Sequence, residues 1–218
     1  MQIDVFTLLP HAFSWLTEQR PLAAVLGSEL DLRLWNYRDF TPLTGGQVDD
    51  EPYGGGAGMV LRVDVVHSAL EAAYGDYGSR RIMALTPQGR QLDQGLVEEL
   101  AGEEAFTLLS SRFEGFDERV LEHLATDAVS IGPYVLSGGE LPAMVVLEAV
   151  ARRLPGALRD ESSTFETFSA ALEGGLEFPQ YTRPPEFKGW AVPEVLLSGD
   201  HGRIEEWRLE RSRERTLS

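Results

Sequence analysis

Ser130-Ile131-Gly132-Pro133-Tyr134-Val135-Leu136-Ser137-Gly138-Gly139-Glu140-Leu141-Pro142-Ala143-Met144 is the stretch whose reading decides the fold. An apolar strand, Asp127 to Ile131, runs into a loop that carries Gly132, Gly138 and Gly139, and an apolar helix follows from about Leu141 to Arg152. Glycines at a strand-to-helix turn let backbone come close to something flat or bulky, because no Cβ stands in the way. Ser137 and Glu140, near the helix start, are expected to satisfy its free N–H groups. Taken alone, the loop reads equally as a pocket wall made of main chain or as a tight connection in an α/β protein.

Outward from this stretch the pattern alternates. Ile3–Leu9, Leu32–Asn36, Arg81–Thr86, Phe106–Ser110 and Ala128–Ile131 read as short apolar strands, and helical patterns cover His11–Glu18, Leu22–Ser28, Val65–Tyr74, Leu96–Gly102, Phe116–Leu124 and Leu141–Arg153. Such alternation predicts an α/β fold with a mostly parallel sheet covered by helices. The glycine-rich run Thr41 to Gly58, with the acidic triplet Asp49-Asp50-Glu51, reads as a long mobile loop without a core of its own. A second break, Pro155 to Gly175, reads as a linker, and a smaller, mainly helical region follows it.

The composition excludes several classes. No cysteine is present, so disulfides, thiolate nucleophiles and cysteine-based zinc sites are out. No apolar run approaches the roughly 20 residues that span a bilayer, and Met1 to Leu9 has no basic n-region; a cytoplasmic location and no membrane partner are the expectation. The net charge of −16 argues against nonspecific nucleic-acid binding. The charge is uneven, however. Residues 1–150 hold 23 acidic and 9 basic side chains, whereas residues 151–218 hold 12 and 10, so a local arginine surface in the last third is open.

Three turns stand at the ends of likely neighbouring strands: Leu85 to Arg90, Ser110 to Arg119 and Ser130 onward. Ligands of open α/β sheets sit beyond the carboxyl ends of the strands, so the three turns converge on a small-ligand pocket. The cluster Pro52 to Met59 lacks the Lys-Ser/Thr of a phosphate loop and reads better as a flexible lid. Four scattered histidines and the lack of a Gly-x-Ser-x-Gly elbow leave metal hydrolysis and serine nucleophiles unsupported. Arg152 and Arg153 at a helix end, and Glu166 in the polar linker, are by pattern alone ordinary solvated charges.

Six segments in order, Tyr53–Met59, Leu85–Arg90, Arg112–Arg119, Ser130–Met144, Tyr181–Pro184 and Leu196–His201, resemble the bacterial tRNA (guanine-N1)-methyltransferase family (TrmD type) of the knotted SPOUT class. The resemblance runs from Met1 to about Thr216, and the long Ser130–Met144 run is its most specific part. It implies a deep trefoil knot, a departure from the rule that chains do not thread themselves. It also implies a knotted domain over residues 1–159, a linker over 160–176 and a small tRNA-binding domain over 177–218. By position, S-adenosylmethionine would be held at Leu85, Thr86, Pro87, Ser111, Glu114, Gly115, Ile131, Gly132, Tyr134, Leu136, Gly138, Gly139 and Pro142. The enzyme would be a homodimer whose sites are shared between subunits, acting on the guanine at position 37 of tRNA.

The chemistry implied follows from the base. Guanine N1 carries a proton at neutral pH; a carboxylate can take it as the methyl group moves, and an arginine can stabilise charge on O6. The resemblance gives these roles to Glu166 and Arg152, with the target base leaving its stack. Glu166 stands where the family has Asp, Ser111 where it usually has Gly, Phe113 where it has Tyr and Pro133 where Asp is common. Gly45-Gly46-Gln47 replaces a basic stretch, and the sequence stops at Ser218, short of a last helical segment the family usually carries. The Asp49–Glu51 triplet and the Glu166 region leave room for an assisting magnesium ion. Two other readings stand beside this one. One is a knotted tRNA-binding module with lost or weak catalysis. The other is a nucleotide-phosphate enzyme using the glycine loop.

Overall fold

The computed structural model describes residues 1–159 and 164–217. Strands β1 (Gln2–Thr7), β2 (Asp31–Asn36), β3 (Asp49–Asp50), β4 (Val60–Leu61), β5 (Arg81–Gln91), β6 (Ala105–Ser110) and β7 (Asp127–Ser130) alternate with helices. These are α1 (Ser14–Glu18), α2 (Leu22–Val25), α3 (Val63–Tyr74), α4 (Gln94–Ala101), α5 (Glu118–His123) and α6 (Glu140–Ala151). Five strands form one sheet in the order β2-β1-β6-β5-β7, and every pairing within it is parallel. A parallel sheet is stable only with both faces covered. Accordingly Ile3, Val5, Phe6, Ile82, Met83, Phe106, Leu108 and Leu109 are all essentially inaccessible.

The helices supply the cover by their periodicity. Val65, Val66, Ala69 and Leu70 of α3 are buried at the i, i+3, i+4 spacing of one face. They pack with Val120 of α5 against Phe6, Ile82 and Leu109 of the sheet. Helix α6 contacts α2 and α4 and packs on β6. Helix α6 is apolar nearly all round, burying Ala143, Val146, Leu147, Val150 and Ala151. Asp93 caps α4 by accepting from the Leu96 N–H at 2.8 Å, and Asp117 caps α5 through the Arg119 N–H at 3.0 Å.

The glycine-rich run departs from expectation. Instead of a coreless loop, it contains β3, which pairs antiparallel with β4 just beyond it, and Val48 is fully buried in the same cluster as Phe6 and Tyr37. One apolar side chain with a core position to fill is enough to fold part of a loop back.

A polar network sits inside the same layer. Asp4 is fully buried and accepts hydrogen bonds from Gln2 Nε2 and Trp35 Nε1, both at 2.6 Å, and from Arg80. Arg80 Nε donates to Thr107 Oγ1 at 2.7 Å, and its guanidinium lies over the Tyr74 ring. Removing one partner of such a pair strands the other charge. Asp4→Ala is therefore expected to destabilise the protein by about 3–5 kcal/mol, read as a lower urea midpoint. A loss near zero would show that Arg80 finds water instead.

The chain divides into two compact units, Met1–Ala157 and Leu158–Ser218. Of the stretch expected as a linker, residues 160–163 lie outside the described residues, and residues 164–176 fall within the second unit. There Phe168 N–H donates to Gly175 O at 2.8 Å, and Leu172 is 7% exposed. The second unit also holds a hairpin that the sequence reading missed. Glu186–Phe187 pairs with Trp190–Ala191 across Lys188 and Gly189, both at positive φ, the geometry of a tight two-residue turn. Its long helix, His201–Leu217, is tied to the chain before it by Ser212 Oγ donating to Leu176 O at 2.6 Å and Leu176 N–H donating to Thr216 Oγ1 at 2.9 Å.

Candidate functional site

The sequence places the carboxyl ends of three adjacent strands, β6, β5 and β7, side by side, and each is followed by a turn of unusual build. Strand β5 does not stop at Thr86. Leu85 and Arg90 both pair with Val129 of β7, so residues 86–89 leave the ladder and rejoin it. A proline is tolerated in a strand at such an excursion, and Pro87 sits within it. Gly89 ends the excursion against β7: a Cβ there would lie 2.4 Å from Ala128 C and Val129 N.

The turn after β6 and the turn before α6 are laced together. Gly139 N–H donates to Ser111 O at 2.8 Å, Ser110 Oγ donates to Gly139 O at 3.1 Å, and Arg112 bridges Gly138. After β7, Ser130 Oγ accepts from Gly132 N–H at 3.2 Å, and the Tyr134 hydroxyl donates to Ile131 O at 3.1 Å. A Cβ on Gly132 would fall 2.3 Å from the Tyr134 ring, so glycine is what lets that ring fold over the turn. The glycine-rich run reaches the site through its backbone: Glu114 N–H donates to Met59 O at 2.9 Å and Leu61 N–H to Gly115 O at 3.0 Å.

The three turns enclose one cavity of about 360 Å³. All thirteen residues expected to hold the donor, Leu85 through Pro142, lie in its wall, together with Gln88, Arg112, Phe113, Phe116, Glu118, Leu121, Val129, Ser130 and Val135. Ser111 takes its place without a left-handed backbone, whereas Phe113 has φ 61. The wall fits a folded sulfonium nucleoside in size, since small-ligand pockets begin at about 300 Å³, and in material. Gly115, also in the wall, has φ 111, a conformation that favours glycine. Gly138 is different: its Cβ would strike Glu140 Oε2 at 2.5 Å and Arg112 Nη1 at 2.9 Å. Its bareness serves that ion pair.

Glu140 also departs from expectation. No side chain caps α6. The Glu140 carboxylate is buried, accepting from Thr7 Oγ1 at 2.9 Å and from Arg112 Nη1 at 3.1 Å. Beside it the fully buried Tyr37 hydroxyl has no protein hydrogen-bond partner among the described residues. Burial, and then the negative charge of Glu140, push the Tyr37 phenol well above its ordinary range.

Its folded pKa is raised, so its contribution to stability is complete below about pH 10, the unfolded value, and is lost as pH climbs above that. Tyr37→Phe is expected to remove part of this alkaline loss and to leave stability at pH 7 unchanged or higher by about 1 kcal/mol, in thermal melts from pH 7 to 11. A lower melting temperature at pH 7 would contradict it.

The two residues given catalytic roles are not in the cavity wall. Arg152 follows the last residue of α6, ten residues and about 15 Å along the axis from Pro142. Glu166 belongs to the second unit, where its carbonyl accepts from Ser169 N–H at 3.0 Å between Phe165 and Phe168, both exposed. The acidic triplet does not assemble a metal site: Asp50 pairs with Arg62 at 2.7 Å, and no group of three potential ligands occurs among the described residues. The second unit has its own hollow, of about 550 Å³, lined by Tyr181 and, as its only charged residues among those described, Arg183 and Arg208. Among the described residues, no helix is long and apolar enough to cross a membrane.

Comparison with known proteins extends this geometry. The family model described as tRNA (Guanine-1)-methyltransferase TrmD matches residues 1–218. A tRNA (guanine-N(1)-)-methyltransferase of Brevibacillus brevis is 49% identical over 99% of this chain and 88% of its own length. A protein of the same name from Dehalococcoides mccartyi is 47% identical over the whole chain and 88% of its own. A third, from Rhodopirellula baltica, is 46% identical over the whole chain and 91% of its own.

Proposed function

This chain belongs to the tRNA (guanine-1)-methyltransferase TrmD family, and from that premise we propose that it transfers a methyl group from S-adenosylmethionine to N1 of guanine 37 in tRNA. The observation that carries the reading is the cavity at the ends of β6, β5 and β7, where the three turns meet and Gly115, Gly132, Gly138 and Gly139 stand in the wall. Apolar side chains in such a wall suit a nucleoside's flat base, and the glycines let backbone N–H and C=O groups come close to its polar edges. When bound, the donor supplies an electrophilic methyl group.

The residues of the chain do the rest. The turns hold the donor in a bent shape and fix its orientation, which lowers the barrier by removing freedom in advance. Glu166 takes the N1 proton, and Arg152 stabilises charge on O6. The backbone over β5–β7 forms a trefoil knot of the SPOUT class, which makes the cavity rigid. Each site is completed by the linker of a second copy, the segment that carries Glu166. The exposed apolar residues Leu141 and Val145 at the start of α6, and Tyr134 and Val135 in the turn before it, suit a homodimer. The C-terminal region grips tRNA, and the hollow of Arg183 and Arg208 suits a phosphate there. The enzyme works in the cytoplasm.

Incubating the protein with radiolabelled S-adenosylmethionine and tRNA transcripts carrying guanine or adenine at position 37 tests the proposal. Label is expected only in the guanine transcript, as 1-methylguanosine after nuclease digestion. No transfer to any tRNA would overturn it.

A further inference from the structure

Glu140 opens α6, where a carboxylate ordinarily serves free helix N–H groups. It has been drawn inward instead. Its side chain is 6% exposed. It is held on one oxygen by Thr7, a fully buried residue whose Oγ1 in turn accepts from Leu9 N–H at 3.0 Å. On the other oxygen it receives Arg112 Nη1, and Gly138 is kept bare by this contact. A carboxylate is not desolvated and surrounded in this way without consequence for its partner. Arg112 is fixed in the cavity wall with one nitrogen engaged, and Glu140 is its one charged partner among the described residues.

Among the described residues, the cavity wall carries two other charges, Glu114 and Glu118, both negative, and Arg112 is its only cation. Any ligand that bears a carboxylate finds one place there where that group is attracted. Guanidinium N–H pairs match carboxylate oxygens in geometry, and a guanidinium held by a buried partner keeps that geometry without losing side-chain freedom on binding.

We infer that Glu140 is a positioning residue: it clamps Arg112 so that the remaining N–H groups of the guanidinium hold the α-carboxylate of the methyl donor. The inference rests on the donor reading above and goes beyond it. It says which group of the ligand is recognised by charge, and which buried residue, reaching Thr7 across the fold, makes that possible.

Calorimetry with two ligands tests it, S-adenosylmethionine and its decarboxylated analogue. Wild-type protein is expected to bind the first about tenfold or more tightly over the second. Glu140→Gln is expected to erase most of that preference, weakening S-adenosylmethionine about tenfold while the analogue stays within about twofold. A merely structural role would weaken both ligands alike, and equal weakening overturns the inference. Should the single variant fail to fold, the double variant Arg112→Gln/Glu140→Gln removes both charges together and leaves none stranded; it is expected to show the same loss of preference. Wild-type protein that binds both ligands equally would also refute the clamp. Wild-type protein that binds neither would refute the donor reading itself, and the inference with it.

Discussion

Glu166→Gln is expected to lower methyl transfer to tRNA by about 100-fold or more while S-adenosylmethionine binds with nearly unchanged affinity. The amide keeps the size and one acceptor of the carboxylate but cannot take a proton from guanine N1, and positioned proton transfer is worth about 10²–10⁴ in rate. The split between turnover and donor affinity follows from role: the residues read as holding the donor line the cavity of the first unit, whereas Glu166, in the second, has only the proton to take. Its neighbours Phe165 and Phe168 are exposed, and glutamine keeps the size of the side chain, so the fold should survive the change. Single-turnover rates at saturating donor, set beside calorimetric affinities, separate the two effects. A loss below about threefold would put the base elsewhere.

Gly139→Val should be as damaging, by a different route. Gly139 has φ −83, which any residue adopts, so the constraint is space and not backbone conformation. A Cβ there would lie 2.7 Å from Ser110 Cα and 3.0 Å from Ser111 N. Those are backbone atoms and cannot swing aside. An isopropyl group must lift the start of α6 off the end of β6, break the hydrogen bonds between Gly139 and residues 110 and 111, and open the cavity wall. Donor affinity is expected to fall by about 100-fold or more, the scale of a few kcal/mol for overpacking, with a lower melting temperature. Native affinity in the variant would mean that these turns do not form the donor site. Gly138 is a weaker test of the cavity, because its Cβ meets the Arg112–Glu140 pair and not the ligand space.

Much of the fold was legible in the chain. Strand and helix periodicities are local properties, and they gave each main element of the first unit within a few residues. Val65, Val66, Ala69 and Leu70 announce a buried helix face without reference to anything distant. The convergence of three turns followed from the same pattern, since parallel strands joined by helices must put their carboxyl ends on one side. The glycine-rich run was misread because its composition is that of a loop, and only the buried Val48 shows otherwise.

Glu140 is the clearest limit. Its sequence neighbours, a glycine pair before it and an apolar helix after it, describe a helix start and nothing more. Its actual partners are Thr7, 133 residues away, and Arg112, 28 residues away. The same holds for Asp4 and Arg80, 76 residues apart. Local sequence determines which backbone conformations are favourable and which faces are apolar, because those depend on residues three or four positions apart. Which buried charges meet depends on how the sheet is ordered and where each turn is pressed. That is decided only when the elements pack and water is excluded, since a charge removed from water must take whatever partner the fold has brought within reach.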